Sequence, residues 1–337
     1  MLFYLIEIVT LIAINVIFAL GLNIQFGYVG VLNVGYIAFV AIGAYITAVT
    51  SLGNTENGFT QLYILHWNVP WPLPVLFGGL AAAAVGLLLA TVTLRNLRAD
   101  YLAIATLSLA QVLYTIVANN DSLFNGAQGL AGVPRPFDAQ LADASQEVYG
   151  LVFLIIAVIF AAILFLATRQ LQRSPLGRFM RAVREDEVVA ESFGRRPLVA
   201  RLAALGIGCF FAGIGGGLLI EYQTAFGSQA WFPLETFIIF AAVIVGGTGN
   251  NLGAVVGAAI VLVGINESTR FLPASIPSEL VGPGRGVLIG VLLILFLRFR
   301  PQGLLPETRV RLYGRRIETP DNPELPTPPQ TADATTS

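Results

Sequence analysis

Lysine is missing from this chain of 337 residues, and all 19 of its basic residues are arginine. A Walker-type loop sets a lysine on the β- and γ-phosphates, and Schiff-base catalysis needs a lysine amine. The chain therefore hydrolyses no nucleotide through such a loop and carries no pyridoxal cofactor. Cysteine and histidine are almost as scarce, with Cys209 and His66 their single representatives. One cysteine closes no intrachain disulfide, and the pair supplies no zinc cluster, redox couple or histidine-based triad. Cys209 reads as a small packed residue and His66 as a loop residue. No catalytic residue, cofactor or metal is expected, and no nucleic acid partner.

Charge is sparse as well. Charged residues make up 12% of the chain, about half the share usual in soluble domains, while 55% of residues are hydrophobic. The expected solvent is a lipid bilayer, and the net charge of -1 says little until its distribution is read.

A spanning helix needs ~20 mostly apolar residues to cross ~30 Å of hydrocarbon. Runs near 2–21, 29–51, 72–94, 101–118, 148–168, 202–220 and 284–299 meet that need. The first has no positive leader and carries Glu7, so it reads as a retained membrane helix. Two further runs, 234–247 and 253–266, reach only about 21 Å at ~1.5 Å per residue. The break between them, Gly246 to Asn251, reads GGTGNN. A re-entrant pair or two short interior helices are both open there. The expected fold is an all-α polytopic membrane protein of about eight or nine segments.

Arginine then sets the orientation. Segments 95–100, 169–201 and 298–316 hold sixteen of the 19 arginines. With nine crossings these segments fall on one side, expected to be cytoplasmic, and the N-terminus falls outside. Residues 307–337, rich in Pro, Thr and acids, read as a disordered cytoplasmic tail after a membrane domain covering 1–306.

The segment SPLGRFMRAVREDEVVAESFG, Ser174 to Gly194, is out of keeping with the rest. Ser174 can cap a helix whose first position is Pro175, and Gly194 is a plausible stop, which predicts one or two short helices. Leu176, Phe179, Met180 and Val183 share one face, while Arg178, Arg181 and Arg184 lie off it and Glu185 to Glu187 follow. Such a segment either lies on lipid headgroups or presents an apolar knob with a charged rim to a groove on a protein partner. The acidic run favours the protein.

This segment resembles the cytoplasmic coupling segment of ABC importer permeases. Five further blocks narrow the branch: GLNIQFGYVGVLNVGYIAFVAIGAY (21–45), LRADYLAIATLSLAQVL (97–113), NGAQGLAGVPRP (125–136), VIVGGTGNNLGAVVGAAI (243–260) and FRPQGLLP (299–306). In that order they resemble the branched-chain amino-acid permease family, M-type (LivM-like) subunit, over residues from about 15 to 306. Tyr36, where that family often has histidine, and Gly194-Arg195-Arg196 depart from its pattern. The resemblance implies an ABC importer permease fold in the plasma (inner) membrane. It further implies a second, H-type permease, two cytoplasmic ATP-binding subunits and an extracytoplasmic substrate-binding protein. It would place ATPase coupling on Gly177, Arg178, Phe179, Met180, Arg181, Ala182, Val183, Arg184, Glu185 and Gly194.

Polar residues within apolar spans are costly and face a bundle interior or a cavity, or bond across close-packed helices. Asn23, Gln25, Asn33, Tyr36, Thr106, Ser108, Gln111, Glu235, Asn250 and Asn251 are of this kind. Glycines 27, 30 and 35 interrupt one span, and Gly246, Gly247 and Gly249 another. Interrupted helices expose backbone groups that can hold a zwitterion. The candidates for the translocation path are Asn23, Gln25, Gly30, Asn33, Gly35, Tyr36, Gln111, Gly246, Gly247 and Gly249. The cargo implied is a branched-chain or other small neutral amino acid, with urea or short amides as an alternative. An ion-coupled secondary transporter, with Glu235 as its carboxylate, is the rival class.

Overall fold

Hydrocarbon offers no partner to a free N–H or C=O, so the apolar runs close their hydrogen bonds within helices. The computed structural model describes residues 2–53, 61–65, 67–96, 100–138, 140, 145–270, 278–300 and 302–307. His66, Arg98 and residues 308–337 of the expected tail lie outside the described residues.

Helix α1 (Leu2–Leu22) runs without a break into one π-helical turn, Asn23–Tyr28. Helix α2 covers Tyr36–Ser51, so the second span starts seven residues later than the apolar run from 29 suggests. Val31 N donates to Gln25 O at 3.0 Å and Gly30 has φ +75°, which folds the chain back over the π turn. Helices α3 (Leu73–Asn96), α4 (Asp100–Asn119) and the short α5 (Asp121–Phe124) follow. Next come α6 (Gln146–Arg173), α7 (Pro175–Glu185), α8 (Glu187–Ser192) and α9 (Pro197–Gln223). Helices α10 (Glu235–Gly246), α11 (Asn251–Arg270) and α12 (Ser278–Phe299) follow. Among the described residues, five helical stretches are long and apolar enough to cross a membrane, beside shorter apolar helices. The fold is that of an all-α polytopic membrane protein.

The pair read as re-entrant or as two short interior helices is unequal. With 12 residues α10 is short, but α11 has 20, enough for about 30 Å at the α-helical rise. They form an antiparallel hairpin, Gly246 packing on Gly253 and Ala242 on Gly257.

Helix α9 sits among α1, α2 and α3, and 72% of its most apolar stretch is buried, against 22% for α4. Lipid tails are as apolar as leucine, so helices gain little from burying leucine and associate instead by close backbone packing. Gly213 of α9 meets the backbones of Gly43 on α2 and Gly78 on α3, where any Cβ would overlap its neighbour. At the far end of α9 a two-residue ladder, β1 (Leu130–Ala131) against β2 (Ala225–Phe226), ties down the connection between α5 and α6.

Candidate functional site: a junction at one end of the bundle

The coupling segment folds as its sequence suggests at its ends. Ser174 Oγ accepts from Gly177 N at 3.1 Å with Pro175 opening α7, and Gly194 takes φ +74° after α8. Its apolar face, however, turns the other way from a partner-seeking knob. Met180 is fully buried and Val183 nearly so, inside this chain, with Leu176 and Phe179 packed against the same core. The cause is the packing of α7 on α6, α9 and the π turn, which offers the stripe a dry surface close at hand.

The arginines divide. Arg178 is exposed and donates to Arg173 O at 2.9 Å, and Ala182 and Glu185 are exposed beside it. Arg181 and Arg184 are not a rim; they turn toward the bundle and meet Glu307. Arg184 Nη2 donates to Glu307 Oε2 at 2.5 Å, while its Nη1 donates to Gly27 O at the end of the π turn. Arg181 Nη1 lies 3.6 Å from Glu307 Oε1, its Nη2 donates to Gln172 O at 2.9 Å, and its guanidinium lies over the Tyr28 ring. Gly30 packs against the Arg184 side chain. Arg195 sits over Phe179, and Arg201 pairs with Glu187 at 2.6 Å, fastening α8 to α9.

The segment that delivers Glu307 explains the FRPQGLLP block. The last carbonyls of a helix lack intrahelical partners. Leu304 N and Leu305 N donate to Val245 O and Gly246 O, both at 2.9 Å, and so cap α10. Asn250 Nδ2 reaches Leu305 O and Pro306 O at 3.2 Å. Gly247 and Gly249 have φ of +116° and +80°, a region that favours glycine, and a Cβ on Gly247 would strike Leu305 O.

Several path candidates gather beside this strap. Asn23 Oδ1 accepts from Gly249 N at 2.9 Å and its Nδ2 reaches Asn251 Oδ1 at 3.4 Å. Tyr28 Oη donates to Asn251 Oδ1 at 2.6 Å, and Asn251 Nδ2 donates to Gln172 Oε1 at 3.2 Å. Asn33 Nδ2 donates to Gln25 Oε1 at 2.9 Å, and Gln25 Nε2 donates to Leu205 O at 3.3 Å. Asn33 Oδ1 and Arg181 Nε are buried without a partner. The two broken regions thus meet through Asn23, Tyr28, Gly249 and Asn251, while Gln25 and Asn33 bond to each other and to α9.

Other candidates lie apart. Tyr36 Oη donates toward Phe18 O and Gly208 O at 3.1 and 3.2 Å, knitting α1, α2 and α9. Gly35 N donates to Thr106 Oγ1 at 3.3 Å, a helix contact. Gln111 is exposed on α4, away from the network. Glu235 stands in the first turn of α10, where a carboxylate complements the helix dipole. Among the described residues the deeply buried acid is Glu221, 1% exposed near the end of α9, accepting from Trp71 Nε1 at 3.2 Å. Sequence reasoning missed it, although it is the one acid in α9.

A polytopic helical bundle with broken helices fastened to a short charged helix pair defines a membrane permease. Residues 4–297 match the family described as branched-chain amino acid transport system / permease component. This chain belongs to that family. It is 34% identical to the LivM high-affinity branched-chain amino acid transport permease protein of Escherichia coli, over 91% of this chain and 71% of that protein. It is 28% identical to a probable LivM permease protein of Methanocaldococcus jannaschii, over 86% and 90% of the two chains. A probable LivH permease protein of the same archaeon is 26% identical over 86% and 87%. No solved structure matches this chain.

Proposed function

We propose that this chain is the permease subunit of an ABC importer, forming half of a translocation pathway for branched-chain or other small neutral amino acids. The family match over residues 4–297 carries the reading. The chain resembles both LivM and LivH proteins, and two such related permeases can pair about a pseudo-twofold axis. The second is an H-type subunit. Hydrolysis belongs to two cytoplasmic ATP-binding subunits, in keeping with the absence of lysine here, and an extracytoplasmic binding protein delivers the cargo.

The coupling surface is α8 and the exposed side of α7. Val188, Val189 and Phe193 are 76%, 51% and 80% exposed, and a partner groove that receives them buries apolar area now in water. Motion of that surface enters the bundle through Arg184 and Glu307, which hold the π turn and the α10 cap at once. The network of Asn23, Gly249 and Asn251, together with the bond from Asn33 to Gln25 of the same π turn, is the cytoplasmic gate. The ends of α1 and α10, the segment 174–194 and the strap to Glu307 touch one another. They therefore share a side, which supports the orientation that arginine indicates, with the N-terminus outside and the C-terminus cytoplasmic.

The test is uptake in proteoliposomes holding both permeases, the ATPases and the binding protein. ATP-dependent accumulation of leucine, isoleucine or valine is expected. Uptake without ATP that follows an ion gradient overturns the reading, and ATP-driven uptake of urea or amides alone overturns the cargo.

A further inference from the structure

Helices α3, α4 and α6 each turn a broad face out of the bundle, and two of these faces suit lipid. On α6 the exposed positions include Leu151, Ile155, Ile159 and Ile163. On α3 they include Leu76, Leu80, Leu88 and Val92, and the hydroxyl of Thr91 near its end bonds back to Leu87 O at 2.6 Å. Helix α4 differs. From the middle of the helix onward its outward face is centred on Ser108, Gln111, Thr115 and Asn119, all exposed and at helical spacing, with Val112 and Ile116 along one edge. Before the middle the same face carries Tyr101, Ile104 and Leu107. The polar half begins mid-helix and runs to one end. That end lies away from the Arg184–Glu307 junction, because soon after α4 the chain enters β1, which pairs with β2 at the end of α9 opposite to α8. Asp121 and Ser122 are exposed beside it.

Hydrocarbon does not serve this half. Thr115 Oγ1 donates to Gln111 O and Asn119 Nδ2 to Thr115 O, both at 2.8 Å, so these two bond within the helix. The Ser108 hydroxyl and the Gln111 amide make no such bond among the described residues, and an amide offers two donors and two acceptors. Polar groups within a span turn to protein or to a water-filled cavity. A closed seam against another helix fits less well. Where helices of this chain approach closely they do so on glycine, as Gly213 does on Gly43 and Gly78, in keeping with the small residues of membrane helix contacts. Helix α4 contains no glycine. A seam also gives no reason for polarity in one half alone, whereas water entering from one end does.

We infer that the polar half of the α4 face is one wall of a water-filled outer path for the cargo, with Ser108 and Gln111 at its inner limit. The inference rests on the importer reading, and the second permease supplies the opposite wall. Neutral amides and hydroxyls suit a zwitterion, since they meet its carboxylate and its ammonium in turn and hold neither with a fixed charge. Depth agrees, because the inner limit falls at the middle of a 20-residue helix, where transporters place their substrate. Beyond it Leu107 and Ile104 present an apolar stretch that water does not follow toward the cytoplasmic gate.

The single cysteine of the chain, Cys209, is fully buried, so a thiol placed on a helix face reports on that face. Thiols react as thiolates, which apolar surroundings suppress. The complete transporter in proteoliposomes is treated with a charged methanethiosulfonate from the side that takes the binding protein. Ser108→Cys, Gln111→Cys and Thr115→Cys should be labelled at least tenfold faster than Ile159→Cys on α6. Reaction of Gln111→Cys with a lipid-soluble maleimide alone places the face in lipid and overturns the inference. Silence toward both reagents in the complex, with labelling of the same subunit free in detergent, places it in a closed seam and overturns it too. Gln111→Leu should cut ATP-dependent leucine uptake about tenfold with the complex intact, and Gln111→Asn should keep most of it; a Gln111→Leu complex that transports like the parent also overturns the inference. Labelling needs no cargo, so if the charged reagent enters while the parent complex moves no amino acid, it is the importer reading that fails and the aqueous face stands.

Discussion

Helices α7 and α8 are neighbours that both set valine beside charged residues, arginine and glutamate in α7 and glutamate alone in α8, yet they face opposite ways. In α7 the apolar residues at 176, 180 and 183 recur at helical spacing and pack into the bundle, and two of its arginines turn to Glu307. In α8, six residues long and capped by Asp186 Oδ1 on Val189 N at 3.0 Å, Ala190 is the one buried residue while Val188 stays in water. The difference teaches that an apolar stripe on a short charged helix is no sign of a docking face. A stripe long enough to reach its own core is used there, and what is left for a partner is the residue that cannot reach.

The comparison breaks most sharply at Met180. Met180→Asp places a carboxylate without a counter-charge in a fully buried site, so a loss of about 3–5 kcal/mol in stability is expected, in the range of broken buried charge pairs. The measurement is thermal unfolding of the purified subunit pair. A variant that folds normally but loses its ATPase would instead make Met180 a docking residue. Val183→Asp, on the same buried face, is expected to behave alike.

A smaller effect tests how α7 is held. Arg184 and Glu307 are partly buried, with side chains 24% and 21% exposed, and a charged hydrogen bond in such a setting contributes about 1–2 kcal/mol. Arg184→Ala, Glu307→Ala and the double variant form a cycle whose coupling energy should fall in that range. The same variants should leave the ATPase bound yet uncouple it, raising hydrolysis without uptake. A coupling near zero would reduce the pair to a surface contact.

These outcomes bear on how much the sequence could say. Most apolar runs became helices because length and hydropathy decide that locally, and the Ser174-Pro175 start needed only its own turn. The direction of the Met180 face was not legible, since it depends on α6, α9 and the π turn, remote in sequence. The span expected from residue 29 failed for a related reason. Val31 bonding back to Gln25 is a choice that hydropathy cannot register. Glu221 was hidden because its partner Trp71 lies 150 residues away. Of the path candidates, Asn23 meets Gly249, Asn33 meets Gln25, and Gln25 and Tyr36 both reach Gly208 of α9, while Gln111 lies exposed on α4.

The smallest effect on folding is expected at the outward helix, and there it sharpens the comparison from the other side. Phe193 and Val188 are exposed, so Phe193→Ser with Val188→Ser removes apolar surface that the isolated subunit keeps in water. Its stability should shift by no more than about 0.5 kcal/mol. Apolar anchors seated in a partner's pocket commonly account for 2 kcal/mol or more of binding, so ATPase association should weaken by at least about tenfold. Titration of the ATPase against the subunit pair in nanodiscs measures this directly. If association is unchanged while Arg178→Glu on the exposed side of α7 weakens it, the docking surface lies on α7 after all, reached through its charged side.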